Sequence, residues 1–151
     1  MNGSFDGDLI RPLGLVTLHC AYAEGEIDEL LCALLEGDAF DATKRQWPVG
    51  QKLALAERLI ENLSAEELAP LVEALHHVRG LFERRNVLVH GRLYAGGRLV
   101  SGRADVPDQR ITEEDLKELA KLVFAAKEKI FVHRCKELAG VLERRNTPGA
   151  A

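Results

Sequence analysis

The sequence predicts an all-α bundle of four to five helices, with a small β-hairpin inserted before a long last helix. Three observations predict it. Apolar residues recur at three- and four-residue steps over most of the 151 residues, the period of a helix with one buried face. The single stretch that breaks this period, "RLYAGGRLVSG", alternates about a Gly96-Gly97 pair, as hairpins do when turn positions need positive φ. A length of 151 residues with 46% hydrophobic and 29% charged side chains suits one domain with its own core. The chain reads as a single domain over 1–151, with short flexible tails at both ends.

The first helix is expected from about Leu13 to Leu35, with Val16, Cys20, Ala23, Ile27, Leu30 or Leu31, and Leu34 on its buried stripe. Gly37 and Asp38 mark its exit. "DATKRQWPVG" follows as a loop holding the only tryptophan, Trp47, which reads as packing that loop onto the core. Lys44, Arg45 and Trp47 would serve a single-stranded RNA only as a secondary reading. The second helix spans Val49 to Leu63, with Leu53, Ala56, Ile60 and Leu63 on one face.

Ser64 and Glu67 have capping-box spacing. Pro70 cannot sit deep in a helix capped there, because it has no amide to donate. A short turn at 64–69 and a third helix with Pro70 at its first position resolve the conflict. Leu71, Leu75, Val78 and Phe82 face its core, and Gly91 caps it after His90. Thr112, with Asp115 three residues on, starts the last helix. Leu116, Leu119, Val123, Ala126, Ile130, Leu138 and Val141 line roughly nine turns of it, far beyond the mean helix of about three turns. A helix so long is expected to overhang the protomer or to pack against a second chain.

Composition excludes several classes. No apolar run approaches the roughly 20 residues that span a bilayer, and "MNGSFDGDLIRP" is not a secretory leader, so a cytoplasmic protein without membrane contact is expected. Cys20, Cys32 and Cys135 are odd in number and form no CxxC pair, which favours buried free thiols over a disulfide scaffold or zinc knuckle. No His/Asp/Glu cluster has metal-ligand spacing, so neither metal nor cofactor is expected. The net charge of -4 is unevenly spread. Between His76 and Arg110, Arg79, Arg84, Arg85, Arg92, Arg98, Arg103 and Arg110 stand against only Glu83, Asp105 and Asp108. An excess made wholly of arginine suits forked recognition of phosphates, although a merely solvated face carries the same charges.

The chemistry concentrates in "ERRNVLVHG", residues 83–91. Asn86 and His90 are four apart and share a helix face, with Arg85 one step round. Imidazole titrates near neutrality and can move a proton. Guanidinium can stabilise a phosphorane-like transition state, and the asparagine amide can hold the histidine tautomer or a phosphate oxygen. The competing account is a helix end whose Arg and His satisfy carbonyls and complement the dipole.

"RRNVLVHG" resembles the signature of the HEPN superfamily: an arginine followed after four to six residues by a histidine, commonly with Asn after the Arg. Arg85 to His90 fits with four intervening residues, and Arg84 to His90 with five. The likeness extends loosely to the acidic first helix, the compact bundle and the long closing helix, with the hairpin as an insertion. It implies a metal-independent endoribonuclease in which two motifs meet across a homodimer. The ribose 2′-hydroxyl attacks the adjacent phosphate and leaves a cyclic phosphate and a 5′-hydroxyl. It makes His90 the acid/base group, Arg85 the phosphate stabiliser, Asn86 the positioning residue, and Arg84 and Arg92 substrate contacts. It implies RNA as partner, a toxin or phage-defence setting and a cognate antitoxin protein. The rival is a non-catalytic module binding a nucleotide or partner protein.

Other residues carry weaker readings. Glu24 or Asp28 is expected either to pair with the motif arginine or to lie solvated. His76 and His77 are adjacent, point about 100° apart on a helix, and read as ordinary helix residues. His133 and Arg134 read as a half-exposed helix face.

Overall fold

The structure, a computed structural model, describes residues 7–94 and 96–149. The tails expected at the termini fall, at 1–6 and 150–151, outside the described residues. The fold is mostly helical with a small three-stranded antiparallel sheet. In order come α1 (Gly7–Leu34), α2 (Ala42–Arg45), α3 (Val49–Leu63), α4 (Ala69–His90), β1 (Arg92–Tyr94), β2 (Arg98–Val100), β3 (Gln109–Arg110), α5 (Glu113–His133) and α6 (Ala139–Asn146).

The apolar stripes meet in one core. Val16, Cys20, Ala23, Ile27, Leu30 and Leu31 of α1 pack with Leu53, Ala56 and Ile60 of α3, Leu71, Leu75, Val78 and Phe82 of α4, and Leu116, Leu119, Val123, Ala126 and Ile130 of α5. α1 starts earlier than the stripe suggests, at Gly7, and runs on through Pro12, whose absent amide leaves one i→i−4 bond of the helix unmade. His19 lies beside Phe124, and Glu26 accepts from Arg134 Nε at 2.5 Å. Both pairs advance in one direction, so α1 and α5 run parallel. α4 runs against α5: Arg84 and Asp115 line one cavity between them, and His77 lines another with Lys129 and His133.

Several details differ from expectation. The loop after α1 contains α2, whose Lys44 amide donates to the Asp41 carboxylate at 2.9 Å. Trp47 beside it is half-buried. Ser64 caps no following helix. It adopts the left-handed region (φ 51) and donates its amide to Glu61 at 3.0 Å, ending α3. A 3-10 turn at Glu66–Leu68 then leads into α4, with Pro70 at its start as expected. Cys20 is buried but Cys32 and Cys135 are exposed, so the reading of buried thiols holds only for the first. Cys32 sits on the outward side of the last full turns of α1, where its neighbours in sequence, not in space, are apolar.

The long last helix is interrupted by a π-helical turn at Arg134–Leu138 and does not overhang the bundle up to Asn146. Leu138 and Val141 are buried, Arg145 donates to the Leu63 carbonyl at 3.1 Å, and Arg144 pairs with Glu67. The extra residue of the π turn rotates α6 enough to put these groups against the end of α3.

Candidate functional site

The site forms where α4 runs into the hairpin. Gly91 does not take the left-handed cap conformation (φ -80, ψ 167). It is required for another reason. A Cβ there would lie 2.7 Å from both Leu99 Cδ1 and the Val87 carbonyl oxygen, so only glycine lets β2 close on the last turn of α4. Gly96 and Gly97 both adopt positive φ (82 and 84), and the Gly97 amide donates to the Tyr94 carbonyl at 3.1 Å. Leu93 faces Leu99 across the ladder. A third strand that periodicity did not reveal, β3, pairs with β2 through Leu99 and Gln109. Its two residues are too short to carry a period.

This junction gives the motif two sides. On one, Asn86 and His90 line a single cleft of about 240 Å³ with Glu83, Val87, Gly91, Ser101, Gly102 and Arg103. Both motif side chains are exposed, and their four-residue spacing puts them on the same face. Arg103 donates to both oxygens of Asp105, at 3.3 and 3.1 Å, and the Ser101 hydroxyl accepts the Arg103 amide at 3.1 Å. Arg103 thus brings a cation to the cleft from the loop after β2, through fold rather than sequence proximity. The sequence signal for it was only the arginine excess.

On the other side, Arg84 lines a separate cavity of about 250 Å³ with Arg110, Gln109 and Asp115. Arg92 is exposed on β1.

Arg85 goes a third way. It is half-buried, with its guanidinium carbon 5.2 Å from the Phe82 ring centre and its Nε buried without a hydrogen-bond partner among the described residues. It lies close enough to Cys20 to act on it: burial pushes that thiol up, while the Arg85 charge opposes the shift and Glu24 adds to it. Within the chain, then, Asn86 and His90 share a cleft that Arg85 does not line.

Neither Glu24 nor Asp28 forms an ion pair with Arg85. Both hold Lys52, at 3.2 and 2.8 Å. Lys52 is 1% exposed; burial works against its charge, but the Asp28 and Glu24 carboxylates beside it win and raise it above the ordinary lysine range. His76 and His77 diverge, as adjacency dictates: His76 points at Glu57, 3.7 Å away, and His77 lines a groove with Lys129 and His133. The His133 ring lies 3.1 Å from Glu137.

Among the described residues no group of three or more His, Cys, Asp or Glu side chains is placed to hold a metal ion, and no helix is long and apolar enough to cross a membrane. No family model, no curated protein and no solved structure matches the chain.

Proposed function

We propose that the chain is a HEPN-like, metal-independent endoribonuclease acting as a homodimer, with a site built from Arg85, Asn86 and His90. The observation that supports this reading is the cleft at the end of α4. An imidazole and an amide one helical turn apart open onto the same space as a guanidinium from the hairpin loop. In that cleft one His90 accepts the proton of a ribose 2′-hydroxyl as its oxygen bonds to the adjacent phosphorus. The bond from phosphorus to the 5′-oxygen breaks, and the imidazole of the second copy supplies that oxygen with a proton. Arg85 of the second copy is the cation this reading gives to the extra negative charge on phosphorus, while Arg103, forked to Asp105, has its Nη1 left to offer. A toxin or defence role with a cognate antitoxin protein, in the cytoplasm, belongs to the same reading.

One observation favours the second reading, a non-catalytic module that binds a nucleotide or partner protein. Arg85 is turned toward α1 and stacked on Phe82 within its own protomer. The ribonuclease reading therefore requires a two-fold pairing that brings one copy's Arg85 to the other's His90. Incubating purified protein with RNA in a chelator separates the two. Cleavage that disappears in both His90→Ala and Arg85→Ala, with helicity unchanged, supports the enzyme. Intact RNA beside tight nucleotide or protein binding supports the module.

A further inference from the structure

The cavity on the opposite side of the motif from His90 has a distinct chemistry. Its floor is apolar: Leu99, Leu116 and Leu119 are buried, and Val87, Leu88 and Ile111 are half-buried around them. Its walls carry two guanidiniums from different elements, Arg84 on α4 and Arg110 on β3. Gln109 and Asp115 complete the rim. Asp115 Oδ2 already accepts the Thr112 amide at 2.8 Å, which fixes the carboxylate and leaves its other oxygen free to accept. Hydrogen bonds from Thr112 hold this carboxyl below the usual range, and the nearby Arg84 charge adds to them.

We propose that this cavity is a subsite for one nucleotide of an RNA strand, with the base on the apolar floor and its phosphate between Arg84 and Arg110. The inference rests on the ribonuclease reading for its substrate class and extends that reading to a second, non-catalytic pocket. Three features select a nucleotide over a plain anion or an apolar ligand. Paired guanidiniums provide forked donors for phosphate oxygens and flat faces for stacking on a base. The floor removes apolar surface from water, which an inorganic anion cannot use. The Gln109 amide and the Asp115 carboxylate offer donors and acceptors to a base edge. A volume of about 250 Å³ falls below the roughly 300–1,000 Å³ of pockets for drug-sized ligands, so it holds one base rather than two.

Position ties the subsite to the cleavage cleft. Val87 lines both cavities and forms the partition between them. A strand crossing Val87 with one phosphate at His90 delivers a neighbouring nucleotide to the Arg84–Arg110 side. The third strand is what closes this second pocket, because Leu99 and Gln109 are a paired position of the β2–β3 ladder.

The test is a titration of the full chain, methyl-labelled at Ile, Leu and Val, with cytidine 5′-monophosphate, followed by NMR. Shifts of the Leu99, Ile111, Leu116 and Leu119 methyls are expected, with affinity about tenfold or more weaker in Arg110→Ala and in Arg84→Ala. Both arginines are exposed, so the variants fold. Inorganic phosphate at equal concentration is expected to leave the methyls unmoved. Methyls that stay still with the nucleotide, that respond equally to phosphate, or whose response survives both substitutions overturn the subsite. The outcome is separable from cleavage. If RNA stays intact but the nucleotide seats here, the ribonuclease reading falls alone. If RNA is cut but these methyls ignore the nucleotide, the subsite falls alone.

Discussion

Gly91 and Leu99 are in contact so close that a single added carbon on Gly91 would come to 2.7 Å of the Leu99 Cδ1 methyl. This joins the end of the motif helix to the middle strand of the sheet, and it sets where Ser101 to Arg103 stand relative to Asn86 and His90. Gly91→Ala forces either strand or helix to move. The cost is expected near 2 kcal/mol, as for other overpacked sites, with a fall of roughly 4–8 °C in melting temperature. Calorimetry measures this, and on the proposed ribonuclease reading RNA cleavage should drop more than the stability loss explains. A variant as stable and active as the parent would mean the junction is not fixed.

Lys52 is the buried cation that the sequence did not single out. Lys52→Met leaves the Glu24 and Asp28 carboxylates facing each other without their shared partner. Breaking such a pair costs about 3 kcal/mol, at the low end for buried ion pairs because both acids keep some contact with water. Urea unfolding should register that loss. Neutralising all three in Lys52→Met with Glu24→Gln and Asp28→Asn should recover most of it, since the desolvation cost then disappears together with the attraction. A single variant within about 0.5 kcal/mol of the parent would show the triad to be a surface pair.

The helical stripes were legible because each buried face repeats at the helix period: every residue assigned to the α4 and α5 stripes lies in the core. The turn at Gly96-Gly97 was legible for a related reason, since its positive φ restricts the residue choice. What escaped depends on partners far apart in the chain. Lys52 reads as a solvated residue until folding puts it against acids 24 and 28 positions earlier in α1. Arg103 joins Asn86 and His90 only through the β1–β2 ladder. Arg85 and Asn86 are neighbours in sequence, yet the 100° between consecutive helix positions sends one toward Cys20 and the other into the cleft. Spacing could name the motif residues, but it could not say which of them a single protomer brings together.

The start of α5 carries a complete capping box: Thr112 Oγ1 accepts the Asp115 amide at 3.1 Å and Asp115 returns the bond to the Thr112 amide. Thr112→Ala should cost about 1 kcal/mol. Asp115→Ala adds a dependence on pH. Its carboxyl is held below the ordinary range, chiefly by the Thr112 backbone bond, so the folded state favours the ionised form. That contribution is present above the unfolded aspartate value of about 3.9 and fades as pH falls through the lower folded value. Unfolding free energies at pH 7 and in the acid range should therefore converge for parent and variant toward low pH. A gap that is constant with pH would show that the ionised form of Asp115 contributes nothing to stability.

Arg85 offers the sharpest division between catalysis and packing. Its guanidinium lies over the Phe82 ring and its Nε has no hydrogen-bond partner among the described residues, so a structural role rests on stacking that a lysine ammonium reproduces only weakly. If Arg85 instead meets the phosphate across a dimer, Arg85→Lys keeps the charge but loses the fork. Cleavage should then fall by about 10²–10³-fold, the loss typical of removing one transition-state donor, while melting temperature stays within a few degrees of the parent. The rate should also fall on dilution in step with the dimer fraction seen by sedimentation. Single-turnover RNA cleavage across Arg85→Lys, Arg85→Ala and His90→Ala reads the first effect directly. A rate that ignores both the arginine and the dimer fraction would leave Arg85 a packing residue, and would place any cleavage within the cleft of a single protomer.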